Sequence, residues 1–454
     1  MFNPLEQQIR LSPPPRFEAP DIPREEPSPL RRGLFDTSLL RGPSEEDVTN
    51  ILSDRAYSYS VRTSTHVTRY ESAQLPGECP CEQRLSHGKF PSPYEDDADW
   101  LAWGVFDGHD GQETAQLLEK FLIPSIRKNL EDSLADVPKW PFPNGTIQNA
   151  IKKAFTDIDD AIIIGGREAV ESDHPPQDKI GKLAPCRSGS CALVALFIPK
   201  VSSLFVACTG DTRAVIGEKY RNHFMWSHEP LSTDQVCSNE SEMKRIQTEH
   251  GGELIFPLNG LLCGSRVTRS FGDARYKWPM DVQLKAATQL RGRLPIQWIN
   301  YLSPPYLTAM PVITRTTIDH IDPTVMIIAT QGFWKLMDTF AAVQSVETWW
   351  RRKSEGLQPP TPIYEPFHFG YLDKGYMEEN FIKSKATVQD ENLAVHLLRN
   401  ALGGNHHELI ASRLAYSAPY CSQVRDEMTV LVVFFNTQRR AGELFSLPAS
   451  MEMG

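Results

Sequence analysis

The sequence predicts an α+β protein whose strands pair in antiparallel sheets. Two apolar runs, 190–198 and 203–208, are separated by only four residues. So short a connection joins the antiparallel strands of a hairpin, because parallel strands need a crossover of a dozen or more residues. Elsewhere apolar residues recur at helical spacing, as they do from Ala115 to Ile126. Strands and helices are therefore both expected, without a pure βαβ repeat.

The first predicted element is a short helix after Ser44. Residues 44–47 (SEED) have the pattern of a capping box and precede an apolar periodic stretch. The apolar run 100–106 (WLAWGVF) then predicts a buried strand. It is followed by a Gly-rich acidic turn at 107–111 (DGHDG) and by a helix around 115–126. A strand, an acidic turn and a helix thus follow one another.

Further strands and helices are predicted along the rest of the chain from apolar runs and helical spacing. The strands are 190–198, 203–208, 214–217, 325–330 and 429–435, and the helices are 240–250 and 391–402. Polar or proline-containing stretches predict surface loops at 166–188, 283–303 and 352–387.

Both chain ends are predicted to lie outside the folded domain. Residues 1–43 carry nine prolines and mixed charges with little periodic apolar content, which is typical of a disordered arm. We therefore expect one domain at 44–437 and a C-terminal tail at 438–454. A mitochondrial presequence is rich in Arg and poor in acids, and acidic residues such as Glu25 and Glu26 do not match that pattern.

The composition argues against two classes of function. The formal charge of −10 disfavours sequence-independent binding to nucleic acid, which depends on basic patches that release counterions. No apolar run approaches the roughly 20 residues that cross a bilayer, so an integral membrane protein is not expected.

The eight cysteines are scattered through the sequence. Cys191 and Cys208 lie in apolar runs, which is typical of reduced, buried thiols in an intracellular protein. Cys79-Pro-Cys81 is a close pair without a second such pair or a nearby His, and we expect it to be structural rather than a zinc site.

Acidic or amide-bearing turns fall at the ends of the predicted strands. A single Asp-Gly is above all a turn dipeptide, but aspartates gathered at strand ends without a Cys or His cluster favour a hard ion such as Mg²⁺ or Mn²⁺. Two such ions can hold a bridging water and orient it for attack on phosphorus. The turns are Glu82-Gln83, Asp107-Gly108-His109, Gly210-Asp211-Thr212-Arg213, Gln331-Gly332 and Arg425-Asp426-Glu427.

This ordered set resembles the metal-dependent type 2C Ser/Thr protein phosphatases (the PPM type), and within them the pyruvate dehydrogenase phosphatase branch. The resemblance runs from about residue 44 to 436. It implies a β-sandwich of two antiparallel sheets flanked by helices, with Mg²⁺ or Mn²⁺ as cofactor and a phosphoprotein as substrate. The motifs that carry it include WGVFDGHDG, RSGSCALVALF, LFVACTGDTRAVIG, RVTRSFGDARYKWP, IIATQGFWKLMD and RDEMTVLVVFF.

The resemblance also implies roles for individual residues. Asp107 matches the aspartate that bridges both metals, and Gly108 matches the glycine whose carbonyl binds one of them. His109 matches the histidine that acts as general acid toward the leaving alcohol. The other matched acids are Asp426 as a terminal metal ligand, Glu82 as an acid that binds metal through water, and Asp211 as an acid close to the centre.

Four positions depart from the family's pattern, and all four belong to the same site. Gln331 and Lys335 stand where the family has aspartates, and Gln83 replaces the second acid of a pair. Glu78 stands where an Arg or Asn lies near the substrate phosphate, and it would repel an incoming phosphate monoester. Each Gln adds one charge and the Lys adds two, so the metal site is more positive by four formal charges.

These departures predict that Lys335 places its ammonium where a metal would lie and pairs with Asp107 or Asp426. A buried pair of this kind is tolerable only when the charges are matched. Amides are poor substitutes for carboxylates around a small dication.

Two functions follow, from different classes. The first is a pseudophosphatase, a binding or regulatory protein with a phosphoprotein or other protein partner and a degraded metal centre. The second is a working Mg²⁺- or Mn²⁺-dependent phosphatase that uses one metal with Asp107, Asp426, His109 and Glu82. A purely structural subunit of a larger assembly is a variant of the first. The branch resemblance predicts the mitochondrial matrix, and the unconvincing N-terminus leaves the cytoplasm as the alternative.

Overall fold

The most apolar stretches of the sequence form strands. In this computed structural model the described residues are 42–61, 66–77, 80–94, 98–220, 225–253, 255, 257–290, 301–319, 322–358, 361–367, 386–415 and 424–436. Their strands are β1 (Ala56–Ser60), β2 (Val67–Leu75), β3 (Arg84–Phe90), β4 (Trp100–His109), β5 (Gly189–Ile198), β6 (Ser203–Thr209), β7 (Arg213–Glu218), β8 (Ser227–Pro230), β9 (Phe271–Gly272), β10 (Val312–Thr317), β11 (Thr324–Ala329) and β12 (Met428–Phe435).

The helices lie between these strands in the described part of the chain. They are α1 (Glu45–Ser53), α2 (Glu113–Leu134), α3 (Asn144–Glu171), α4 (Pro176–Arg187), α5 (Glu240–Glu249), α6 (Met280–Leu290), α7 (Gln331–Trp334), α8 (Thr339–Ser354), α9 (Leu393–Leu402) and α10 (His407–Ala415), with short 3-10 turns at Pro199–Val201 and Ala274–Tyr276.

The strands form two antiparallel sheets. The first sheet has the order β1-β2-β12-β11-β7-β8, and the second has the order β10-β6-β5-β4-β3 with β9 paired to β5. Aromatic side chains pack between them: the Phe435 ring of the first sheet lies 5.2 Å from Phe197 and 6.5 Å from Trp103 of the second. The two sheets therefore pack face to face around a common apolar core.

Helices cover the outer face of each sheet. Trp349 of α8 and Leu397 of α9 are buried against the first sheet, whereas Leu118 of α2 and Phe155 of α3 are buried against the second. The result is an α+β sandwich of two antiparallel sheets flanked by helices, as predicted. The turns at one edge of the sandwich are therefore anchored on strands of two sheets that are packed on both faces.

Several local predictions are confirmed. The β5–β6 hairpin has the antiparallel register Ile198↔Ser203, and Ser44 caps α1 in a capping box with Asp47. Cys191 and Cys208 are buried free thiols. No helix in the described residues is both long and apolar enough to span a membrane.

The loop predicted at 166–188 is wrong, since most of it belongs to α3 and α4. Val170 of α3 and Leu183 and Cys186 of α4 are buried in one apolar cluster with Trp278. The loops predicted at 283–303 and 352–387 are partly wrong, because their first residues continue α6 and α8.

Some predictions fall outside the described residues. They include the arm apart from its last two residues, the tail, Cys79 and the candidate Glu78. The domain boundaries at 44–437 stay a prediction.

Candidate functional site

Five strand ends meet at one edge of the sandwich. The turns there precede β3 and β12, end β4, and follow β6 and β11. Asp107 lies at the centre, and the structure joins it to Gln83 and Gln331 by hydrogen bonds. The charges of Asp211 and Asp426 also act on Asp107. The sequence-predicted acidic turns therefore do come together.

Two glycines permit the close approach of these turns. A Cβ on Gly108 would lie 2.3 Å from the carbonyl oxygen of Glu82, and a Cβ on Gly332 would lie 2.1 Å from the carbonyl oxygen of Glu427. Any side chain at either position would push the turns apart. Glycine is thus required here by backbone packing, apart from any role of the Gly108 carbonyl.

Asp107 accepts hydrogen bonds at both carboxylate oxygens. Gln83 Nε2 donates to Oδ1 at 2.8 Å, and the Gln331 backbone N–H donates to Oδ2 at 3.2 Å. Burial, and then the charges of Asp211 and Asp426, raise the pKa of Asp107 to about 8. Nitrogen donors of the chain thus face the carboxylate that the family resemblance places between two metals.

Gln83 is buried, with 2% of its surface exposed. Its Nε2 also donates to the carbonyl oxygen of Glu427 at 3.0 Å. Its Oε1 accepts from the hydroxyls of Thr429 at 2.7 Å and Thr330 at 3.2 Å. Both halves of the amide are therefore fully hydrogen-bonded.

Lys335 pairs with Asp426, at 2.7 Å from Nζ to Oδ2. Of the two partners predicted for this lysine, Asp426 is confirmed, and the structure shows no hydrogen bond or ion pair between Lys335 and Asp107. The pair is also not deeply buried, since the two side chains are 37% and 45% exposed. The reason is geometric: Lys335 ends the short helix α7 at the mouth of the site, whereas Asp107 lies deeper.

Gln331 points its side chain outward. Its Oε1 accepts a hydrogen bond from Arg266 at 2.9 Å, while its backbone N–H faces Asp107. Arg266 is exposed, and its charge lowers the pKa of Asp211, although burial of Asp211 acts more strongly in the opposite direction and leaves that pKa raised. Sequence reasoning did not single out Arg266.

The other predicted metal-site acids have chain partners of their own. Asp211 is 5% exposed and accepts a weak bond from the Cys191 thiol at 3.4 Å. Glu82 contributes its backbone N–H to the carboxylate of Glu427 at 3.0 Å. That Glu427 carboxylate also accepts from the backbone of Gln83 at 3.2 Å. Glu427, which the sequence analysis placed in an acidic turn without giving it a role, therefore organises the turn before β3.

His109 pairs with a residue that the sequence did not point out. Its Nε2 lies 2.8 Å from Oδ2 of Asp273, which also accepts from the Ser270 hydroxyl at 2.7 Å. Burial alone would lower the pKa of His109, but the charge and hydrogen bond of Asp273, with Asp107 and Asp110, raise it to about 9. The Asp273 carboxylate thus favours the charged form of the imidazole and fixes its orientation. Asp273 lies in RVTRSFGDARYKWP, one of the motifs that carry the family resemblance, but the sequence analysis gave Asp273 itself no role.

A buried ion pair holds the Asp273 segment against α3. Lys277 Nζ lies 2.7 Å from Oδ2 of Asp159, and Asp159 also accepts from the Gly272 backbone at 2.9 Å. Gly272 has φ +67°, and a Cβ there would lie 2.4 Å from the carbonyl oxygen of Ser188. This side of the site is therefore fixed by packing and by paired charges.

Within the described residues, no group of three or more His, Cys, Asp or Glu side chains is arranged to hold a metal ion. Three of the acids predicted for the metal site, Asp107, Asp211 and Asp426, accept hydrogen bonds from the chain itself. Asp107 is bonded to an amide and a backbone N–H, and Asp426 to an ammonium.

Comparison with known proteins identifies the relatives of this arrangement. A family model described as protein phosphatase 2C matches residues 74–359. A protein phosphatase 2C homolog from Schizosaccharomyces pombe is 32% identical over 82% of this chain and 81% of its own length. Mitochondrial pyruvate dehydrogenase (acetyl-transferring) phosphatase 1 is 31% identical in Saccharomyces cerevisiae, over 90% of this chain and 77% of that protein. The Homo sapiens protein of the same name is 27% identical, over 86% and 82% of the two chains.

Proposed function

This chain belongs to the protein phosphatase 2C family, and we propose that within it the chain is a pseudophosphatase: its two-metal centre does not form, and its role is to bind a protein partner. Members of the family generally depend on Mg²⁺ or Mn²⁺ and act on phosphoproteins. The proposal concerns how far this chain has departed from that chemistry.

One observation carries the proposal, namely the ion pair between Lys335 and Asp426 at 2.7 Å. Asp426 matches a terminal metal ligand of the family, so the ammonium competes with any dication for its carboxylate. The ammonium also repels a dication that approaches this carboxylate, and the partial exposure of the pair reduces both the attraction and the repulsion. An ammonium cannot take over the work of the metal, because it does not bind and polarise water as a Lewis acid.

The amide substitutions support the same conclusion. Mg²⁺ is bound in near-octahedral oxygen sites that rely on carboxylate charge. Gln83 directs its NH₂ group rather than an oxygen at Asp107, and Gln331 directs its carbonyl oxygen at Arg266. Neither amide offers an oxygen to an ion beside Asp107.

An active metal-dependent phosphatase is the second candidate, and one observation favours it. The His109–Asp273 pair, at 2.8 Å, retains the geometry of a charged proton donor beside Asp107. Should one ion displace the Lys335 ammonium, the carboxylates of Asp107 and Asp426 would bind that ion. His109 would then protonate the leaving alcohol.

Titration calorimetry with Mn²⁺ and hydrolysis of a phosphoserine peptide separate the two candidates. We expect no tight Mn²⁺ site and hydrolysis near background. The Saccharomyces cerevisiae relative, assayed alongside, is the positive control. Two tight sites, or a turnover on the order of 1–10³ s⁻¹, would assign the chain to the active enzymes instead.

We further propose that the partner is a phosphoprotein of the mitochondrial matrix, because two of the relatives are named as mitochondrial phosphatases of pyruvate dehydrogenase. Direct titration with phosphorylated and unphosphorylated pyruvate dehydrogenase tests the partner. Fractionation of cells that express the full chain tests the location. Failure to bind either the phosphorylated or the unphosphorylated dehydrogenase would overturn the proposed partner. A purely cytoplasmic distribution would overturn the proposed location.

A further inference from the structure

We propose that the side-chain amide of Gln83 is a metal-independent cross-link between the two sheets, and that it stabilises the site edge which metal ions join in active family members. The inference deepens the proposed function and rests on it, because it explains how the edge stays closed without a metal. It is carried by hydrogen bonds within the chain.

The bonds of Gln83 connect both sheets. Gln83 precedes β3 and bonds to Asp107 of β4, and both strands belong to the second sheet. Thr330, Thr429 and the carbonyl of Glu427 lie at the ends of β11 and β12, in the first sheet, and bond to the same amide at 3.2, 2.7 and 3.0 Å. A single side chain thus joins four strand ends.

The surroundings require an amide rather than an acid. The NH₂ group donates to Oδ1 of Asp107 and to the carbonyl oxygen of Glu427, and a carbonyl oxygen only accepts hydrogen bonds. The amide oxygen faces two threonine hydroxyls. Those hydroxyls are free to donate to it, because the Thr330 oxygen already accepts from the Thr429 N–H at 2.9 Å, and the Thr429 oxygen accepts from Gln74 at 3.1 Å. A carboxylate at position 83 would replace the donating NH₂ group with an oxygen that faces two other accepting oxygens, those of Asp107 and Glu427.

Burial makes the cross-link strong. Gln83 is 2% exposed and Thr330 and Thr429 are fully buried, so removal of the amide leaves buried polar groups unsatisfied, which costs more than the bonds themselves contribute. The bonds are also cooperative in a low-dielectric environment.

The neighbouring Lys335–Asp426 pair cannot perform this task. Both residues lie on the first-sheet side, since Lys335 follows β11 and Asp426 precedes β12. Their side chains are 37% and 45% exposed. The Gln331 backbone N–H also bonds across the sheets, to Oδ2 of Asp107 at 3.2 Å. The other oxygen of that carboxyl group, Oδ1, is held by Gln83 Nε2. Gln83 is therefore a buried side-chain link between the sheets, and it acts beside the Glu427 carboxylate, which accepts from the backbone before β3.

The test measures thermal unfolding of Gln83→Glu and Gln83→Leu in EDTA, beside wild type and the control Gln247→Glu, which makes the same charge change on the exposed face of α5. We expect wild type to melt alike in EDTA and in Mn²⁺. We expect both Gln83 variants to lose about 5–10 °C and the control to match wild type. If Gln83→Glu and Gln83→Leu melt like wild type, the cross-link is refuted.

A milder variant covers the case in which the Gln83 variants do not fold. Thr429→Val keeps the shape and removes one hydroxyl donor to the amide, so we expect a loss of about 2–5 °C. An unchanged melting point for Thr429→Val would also count against the proposal. Tight Mn²⁺ binding by wild type would overturn the proposed function, whereas wild type without Mn²⁺ binding and with insensitive Gln83 variants would overturn only the cross-link.

Discussion

Lys335 and Asp426 form an ion pair whose energy is set by its exposure. Pairs this accessible to solvent are screened and typically contribute 0–1 kcal/mol, unlike a buried pair, whose breakage costs about 3–5 kcal/mol. We predict that Lys335→Met lowers the free energy of unfolding by no more than ~1 kcal/mol in metal-free buffer, as measured by urea denaturation. A loss near ~4 kcal/mol would show that the pair is buried in solution. Lys128→Met, which breaks an exposed pair on α2, is the matched control.

His396 is the residue that we expect to make stability depend on pH. It is fully buried in α9, with Nε2 2.8 Å from the Ser345 hydroxyl. Burial lowers its pKa to about 4; the charge of Asp390 and a hydrogen bond to the Ser345 backbone oppose this shift, and the charges of Arg352 and Arg399 add to it. Below the ordinary His pKa of about 6.5 the unfolded chain binds a proton that the folded chain does not, so stability falls as pH drops from about 6.5 toward 4.

The predicted contribution of His396 across that window is at most ~3 kcal/mol. We expect His396→Gln to be less stable than wild type at pH 8, because it disturbs a buried hydrogen-bond network, and to show a shallower loss of stability between pH 6.5 and 4. Urea midpoints of both proteins at several pH values give the difference in stability between them at each pH. The contribution of the carboxylates is common to both proteins and cancels in that difference. Parallel curves would mean that His396 does not titrate in this window.

At the scale of elements, the segment that carries Asp273 depends on one buried ion pair. The side chains of Lys277 and Asp159 are 4% and 10% exposed. We predict that Lys277→Met or Asp159→Asn each costs about 3–5 kcal/mol of stability, because each leaves one buried polar or charged group without its partner. The double variant should cost clearly less than the sum, since it removes both charges. Additive losses would show that the two charges are not coupled.

Whether an element could be predicted from the sequence depended on how its two faces are covered. Continuous apolar runs such as those of β5 and β11 predict buried strands, because both faces of these strands are covered. β2 gave no such signal, since it contains Arg69 and the fully buried Glu71. The two charges pair with each other at 3.4 Å, and tertiary contacts complete their environment: the Arg69 guanidinium lies 4.2 Å from the Phe434 ring centre, and Glu71 accepts the N–H of Leu393. Such compensation depends on residues hundreds of positions away.

The site shows the same limit. The family resemblance, read from the sequence, assigns Gln83, Gln331 and Lys335 to positions where relatives are expected to have aspartates of the metal site. They do not reveal that Lys335 reaches Asp426, or that Asp273 supports His109, because those pairings depend on rotamers and on the path of turns between strands. The roles of individual metal-site residues stay predictions until ion binding is measured.

For the whole molecule, the strand ends at the site edge bring together turns that are distant in sequence, from Gln83 to Asp426. The family resemblance assigns roles to Asp107, Gly108, His109 and Asp426, and the structure brings these residues to this edge. The family fold is present, and the proposal that its metal centre is lost makes restoration of that centre a test of the whole arrangement.

We predict that the triple variant Gln83→Asp, Gln331→Asp and Lys335→Asp binds Mn²⁺. Without metal it should be less stable than wild type, because it loses the bonds of the Gln83 amide and concentrates like charge around Asp107. Added Mn²⁺ should recover about 2.7 kcal/mol at a free concentration one hundred times the dissociation constant. The melting temperature should thus rise with Mn²⁺ concentration in the variant and stay constant in wild type.

Hydrolysis of a phosphoserine peptide should appear only when the metal centre and phosphate access are both restored, so the assay uses the triple variant with and without Glu78→Asn. His109→Gln in the fourfold variant is the control: it should keep Mn²⁺ binding and lose most of the gained hydrolysis, because it removes the proton donor without touching a metal-binding carboxylate. A fourfold variant that neither binds Mn²⁺ nor gains hydrolysis would mean that the turns themselves are displaced. In that case the substitutions are a consequence of a changed backbone, and the roles that the family assigns to Asp107 and Asp426 do not apply to this chain.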